Sequence, residues 1–143
     1  MYKRQAWYHV VAVWDTTNAT ANDRMRLYVN GVQVSSFSSR TNPTQNTNGF
    51  INSANLHTIG DRFYNGSHIN FFDGYMTEVN FVDGQALTPS DFGDTNPDTG
   101  VWQPKEYTGT YGTNGFYLPM NQTFETYDAT YLLVAGGGGG AGY

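Results

Sequence analysis

Residues 61–68 read DRFYNGSH, which places an acid, a cation, an aromatic ring, an amide and an imidazole in one short stretch. That mixture suits a polyhydroxylated ligand. A sugar ring offers C–H faces to an aromatic platform and hydroxyls to short polar groups, as concave ligand sites require. Asp61, Arg62, Tyr64, Asn65 and His68 are therefore a candidate glycan-binding set. A second aromatic group, Trp102, Tyr107 and Tyr111, lies in a turn-rich stretch and admits the same reading. Aromatic residues in a connector also serve simply to pin it against a sheet.

Other chemistry has less to build on. The three histidines, His9, His57 and His68, lack metal-ligand spacing, and His9 and His57 fall inside apolar or short strand-like stretches. No G-x-S-x-G elbow occurs. Gly137, Gly139 and Gly142 spell G-x-G-x-x-G, but a five-glycine run yields such matches freely. A dinucleotide turn needs a helix after its glycines, and a phosphate loop needs a Lys; the sequence supplies neither. No cofactor is expected. Calcium is the one alternative: Asp15, Asp23, Asp83 and Asp91 flank strand ends, and hard cations take several oxygen ligands. Yet no loop concentrates three acids, and Asp83-Gly84 reads as turn chemistry, so no metal ligand is assigned.

The elements that must position these residues are strands. Of 143 residues only 13% are charged while 16% are aromatic, with eleven Tyr and nine Phe. Asn, Thr, Ser and Gly supply the polar surface, a composition that favours pleated structure over helix. Seven basic residues, scattered in a chain of net charge −5, are a poor match for a nucleic acid, which needs clustered cations. No apolar run reaches membrane-spanning length. The absence of cysteine removes disulfides and thiolate chemistry. MYKRQAWYHVV carries no apolar core followed by a small-residue cleavage site, so no signal peptide is expected.

Along the chain, WYHVVAVW (7–14) is apolar on both parities and predicts a strand covered on both faces. MRLYVNGVQVSSF predicts a hairpin around a type I′ Asn30-Gly31 turn, with Val29 opposite Val32 and Leu27 opposite Val34. Met25, Leu27, Val29, Val32 and Val34 would share one face, with Arg26, Tyr28 and Gln33 on the other. Residues 38–55 are a long polar connection, LHTIG (56–60) a short strand, DRFYNGSHIN a loop, and 71–84 a long strand. Thr88, Pro89 and Asp91 predict one helical turn with a capping box. FYLPM and TYLLVA are further strand candidates.

In this order the motifs resemble the laminin-G-like, concanavalin A-like sandwich family. The carriers are W-x-H-V before L-Y-V-N-G, then I-G, F-D-G-Y-x-x-E-V and A-L-T-P. More narrowly, ALTPSDFGDTNPDTGVWQPKEYTGTYGTNGFYL is similar to the version found in marine bacteriophage tail and tail-fibre proteins, and YLLVAGGGGGAG to their glycine-rich segments. The resemblance implies an all-β, antiparallel β-sandwich of jelly-roll type. It spans a core at 1–93, an aromatic connector and return strand at 94–120, and a terminal strand with a glycine-rich tail at 121–143. Such domains carry strands before W-x-H-V, so the sandwich is expected to be completed by this chain's later strands or by another chain.

Sandwich hydrolases of this shape place two acids alternately on one strand, whereas the same-parity neighbours of Glu78 are Gly74, Met76, Asn80 and Val82, and Asp73 has the opposite parity. The expectation is thus no catalytic residue and no enzyme. The resemblance implies a virion module for fibre architecture or host-surface attachment, made without a signal peptide. Its partners would be copies of itself, other virion proteins or a host-surface glycan, with no nucleic acid and no membrane insertion. A stand-alone lectin, calcium-dependent or not, and a capsid decoration or filament protein are the competing readings.

Overall fold

A computed structural model describes residues 6–120, and its strongest local element is the Asn30-Gly31 turn. Asn30 (φ 48°) and Gly31 (φ 78°) both take the left-handed conformation that a type I′ turn requires. They join β2 (Met25–Val29) to β3 (Val32–Gln33) in the expected register, Val29 opposite Val32. The Val34 amide adds a bond to the Leu27 carbonyl. β1 (Val10–Trp14) pairs antiparallel with β2, giving a three-stranded sheet in the order β1-β2-β3.

Three two-stranded ribbons complete the described residues, all antiparallel. β4 (Arg62–Tyr64) pairs with β5 (Ser67–Ile69), and β6 (Val79–Phe81) with β9 (Phe116–Leu118). β7 (Gly93–Thr95) pairs with β8 (Trp102–Pro104). Two 3-10 turns, Ala21–Asp23 and Pro89–Asp91, are the helical content among these residues. The fold is all-β and antiparallel, and among the described residues no sheet closes into a barrel.

The second turn is the predicted one. Asp91 Oδ2 accepts from the Thr88 amide at 2.7 Å and from its hydroxyl at 2.8 Å, and Pro89 stands buried at the first position. Those hydrogen bonds, the amide first, hold the Asp91 carboxyl below the usual aspartate range.

Several expectations need correction. LHTIG forms bends rather than a strand. The long strand over 71–84 contracts to β6, because Glu78 takes a left-handed φ of 54° that ends the extended run. DRFYNGSHIN is not a loop but the β4–β5 hairpin, turned by Asn65 (φ 49°) and Gly66 (φ 79°) as the first hairpin is by Asn30-Gly31. The 94–120 connector contributes strand residues in β7, β8 and β9. The terminal strand and glycine-rich tail proposed for 121–143 lie outside the described residues.

β1 is also covered on one face only. Val11 and Val13 point inward, and Val13 is the buried hydrophobic residue of the described core. Register places Val10, Ala12 and Trp14 beside Val29, Leu27 and Met25 on the opposite face. There Val10 is 58% exposed, Val32 71% and Trp14 40%. The hairpin's apolar face, expected to form the core, is thus open at Val10 and Val32, while Met25, Leu27, Val29 and Val34 are half-buried. At the Trp14 end, Gly49 lies close enough that a Cβ there would meet the indole at 2.9 Å.

The connector reaches this sheet through Trp102. Trp102 lodges between Gly31 and Gly93, where added Cβ atoms would come within 2.5 and 2.7 Å of its ring. Its indole N–H donates to His9 Nδ1 at 3.0 Å. Arg24 ties two loops together by donating to the carbonyls of Asn18, Ala19 and Pro43.

Candidate functional site

A groove of about 680 Å³ lies between the 52–59 loop and the β6–β9 ribbon. Its size falls in the range of small-molecule sites, about 300–1,000 Å³. Strand alternation builds its floor. Val79 and Phe81 lie two apart on β6, and Phe116 stands directly opposite Phe81 on β9. The two rings stack with centroids 5.5 Å apart and planes 25° apart. Phe116 remains 39% exposed, so this platform is accessible to a ligand.

Carboxamides make the rim, and each is held in place. Asp83 Oδ1 accepts from Asn52 Nδ2 at 2.6 Å, and Oδ2 from the backbone N–H of Asn114 at 3.2 Å. Asn114 Nδ2 in turn donates to Asn52 Oδ1 at 3.0 Å. On the other face of β6, between Val79 and Phe81, Asn80 Oδ1 accepts from the Tyr111 hydroxyl at 2.8 Å, and its amide donates to the Glu78 carbonyl at 3.2 Å. Burial pushes the Tyr111 hydroxyl up from its ordinary pKa, which keeps it a donor. His57 completes the rim, its ring nitrogens facing the Asn55 carbonyl at 2.7 Å and the Phe50 carbonyl at 2.9 Å. An amide carries two N–H donors and an acceptor oxygen. Asn52 and Asn114 therefore each retain an N–H beyond this network, and Asn114 retains its oxygen.

The sequence reading singled out none of these amides. Asn52 and Asn114 are 62 residues apart and meet only through their own hydrogen bond and their shared partner Asp83. The available signal was the recurrence of Asn next to Phe, in Asn80-Phe81 and Asn114-Gly115-Phe116.

The residues that were singled out are distributed differently. In the β4–β5 hairpin, Arg62 and Tyr64 occupy one face, with the guanidinium 4.6 Å from the Tyr64 ring centroid. His68 lies on the other face, beside Phe63 at 5.1 Å. Its Nδ1 is 2.6 Å from Asp61 Oδ2, while Asn65 sits in the turn. The five divide into two pairs and a turn residue rather than converging on one surface. In the second aromatic group, Trp102 is the indole already described. Tyr107 packs against Phe92 at 4.9 Å and edge-on against Tyr111 at 5.2 Å. These rings fasten the connector down.

The strand-end acids are occupied singly. Asp15 bonds the hydroxyl and amide of Thr17, the hydroxyl at 2.6 Å, which lowers its pKa. Asp91 caps its turn and Asp83 holds the two amides, while Asp23 lies in the first 3-10 turn. Among the described residues, no three His, Cys, Asp or Glu side chains gather as a metal site would need. Glu78, just ahead of β6, acts electrostatically on His9, and Val79–Phe81 of β6 include no second acid.

A family model described as the concanavalin A-like lectin/glucanases superfamily matches residues 2–91. No curated protein and no solved structure matches the chain.

Proposed function

The chain belongs to the concanavalin A-like lectin/glucanases superfamily, and from that premise we propose that it is a non-catalytic carbohydrate-binding module. One observation carries this reading: an exposed aromatic platform, Phe116 on Phe81, bordered by carboxamides that the fold already holds in place. Stacking takes the C–H face of a sugar ring, and preorganised amides take its hydroxyls without a further ordering cost. The lectin side of the superfamily is favoured over the glucanase side by the surroundings of Glu78. A glycosidase needs a partner carboxylate about 5–10 Å away; Glu78 stands at a left-handed break just ahead of β6, and Val79–Phe81 supply no second acid beside it.

The setting we propose is a phage virion, in a tail-fibre-type or host-attachment role and in company with copies of itself or other virion proteins. Support for it comes from the A-L-T-P to F-Y-L stretch and the glycine-rich segment. The open apolar face of β1–β3 also suits assembly. A glycan array read with and without chelator tests binding, and saturable signal on at least one glycan is expected. Immunogold labelling of particles tests the setting. A chain that binds sugar but is absent from particles is a free lectin; one that labels capsids and binds no sugar is a decoration protein.

A further inference from the structure

The charge distribution around the groove points to a narrower ligand class. No Lys, Arg, Asp or Glu lines the groove. Its polar groups are the side-chain amides of Asn52 and Asn114, the hydroxyls of Ser53 and Thr58, and the His57 ring. The Asp83 carboxylate is bonded to both Asn52 and Asn114. An anionic sugar seated on these amides would meet that carboxylate with no Lys or Arg on the groove wall to offset it, in a chain already at −5. Calcium-bridged recognition has no foothold either. Both Asp83 oxygens accept N–H donors, and a hard cation needs several free oxygen ligands.

We propose that the groove binds uncharged pyranosides without a metal ion and excludes uronate, sulfated and sialylated glycans. In this arrangement Phe116 stacks on the sugar, the spare N–H groups of Asn52 and Asn114 and the Asn114 oxygen bond its hydroxyls, and Asp83 is a positioning residue that also enforces the exclusion. The inference rests on the carbohydrate-binding reading above and deepens it.

The test is isothermal titration of the full chain in EDTA. The probes are neutral gluco-, galacto- and manno-oligosaccharides, alongside oligogalacturonate and a sulfated galactan fragment. Expected are saturable binding of at least one neutral series and binding at least tenfold weaker for its acidic counterpart. Phe116→Leu, which keeps apolar volume but removes the ring, and Asn114→Ala should each weaken neutral binding about tenfold. Asp83→Asn should raise the ratio of acidic to neutral affinity, a change that a merely structural role for Asp83 would not produce. Acidic glycans bound as tightly as neutral ones, or binding lost in EDTA, would overturn this proposal while leaving carbohydrate binding intact. Failure of every neutral and acidic probe would overturn both.

Discussion

The indole N–H of Trp102 reaches across 93 residues of sequence to Nδ1 of His9 at 3.0 Å, with the rings 5.8 Å apart. The bond requires that nitrogen unprotonated. Partial burial lowers the pKa of His9 below the ordinary value, and Glu78 opposes the shift without cancelling it. The unfolded chain therefore takes up the proton more readily than the fold does. The stabilising contribution is complete above about pH 6.5, and it is lost as the pH falls from there through the lower value His9 has in the fold. The Trp102 indole N–H resonance should move through this window by NMR, and His9→Gln should flatten the response. An indole signal indifferent to pH in the wild type would contradict this account.

The two Asn-Gly turns permit a controlled comparison. Gly31 and Gly66 have nearly the same φ, 78° and 79°. A Cβ on Gly31 meets the Trp102 ring, whereas one on Gly66 meets nothing within 4 Å. Gly66→Ala should thus cost only the left-handed strain, about 1–2 kcal/mol. Gly31→Ala should cost about 1–3 kcal/mol more from overpacking. Denaturant titrations of both variants check this, and equal losses would show that Trp102 yields freely.

Thr88→Ala removes the hydroxyl bonded to Asp91 at the mouth of the second 3-10 turn. The expected loss at neutral pH is about 1 kcal/mol, typical of a cap. Because hydrogen bonds hold the Asp91 pKa below its unfolded value, its contribution is present above about pH 4 and fades as the pH falls through the folded value. The stability gap between wild type and Thr88→Ala should narrow over that range. A gap independent of pH would detach the threonine from the carboxylate.

Arg24 is the strap of the loop end. It donates to three carbonyls, two on residues 18–19 and one on Pro43, and Lys lacks the planar fork to serve all three. Arg24→Lys should raise amide hydrogen exchange in 16–22 and 40–47 while leaving β4–β5 unchanged. Uniform acceleration throughout the chain would instead indicate a global loss of stability.

What the sequence disclosed was mostly local. Asn30-Gly31 announced its hairpin because clean alternation flanks it, and Thr88-Pro89-x-Asp91 announced its turn because a cap needs only neighbours. Asn65-Gly66 carries the same turn signal, but its strands are three residues each, too short for alternation to register. The 71–84 strand was overextended because nothing in residue type marks Glu78 as left-handed; that φ accompanies its amide's bond to the Pro119 carbonyl, far along the chain. The groove was hidden for the same reason, since tertiary contacts between distant segments, not composition, bring Asn52 and Asn114 together on Asp83. Apolarity on both parities of β1 was legible, but which face other strands would cover was not.

That open face has a calorimetric consequence. The heat capacity of unfolding tracks the apolar surface newly hydrated, normally about 12–15 cal/mol/K per residue. Val10, Val32 and much of Trp14 are already in water in the folded chain, and melting hydrates them little further. The isolated chain should therefore melt with a heat-capacity step, and a denaturant m-value, well below the norm for its length. Whatever covers the β1–β3 face should restore both, so the size of the step measures how much of the cooperative unit this chain supplies.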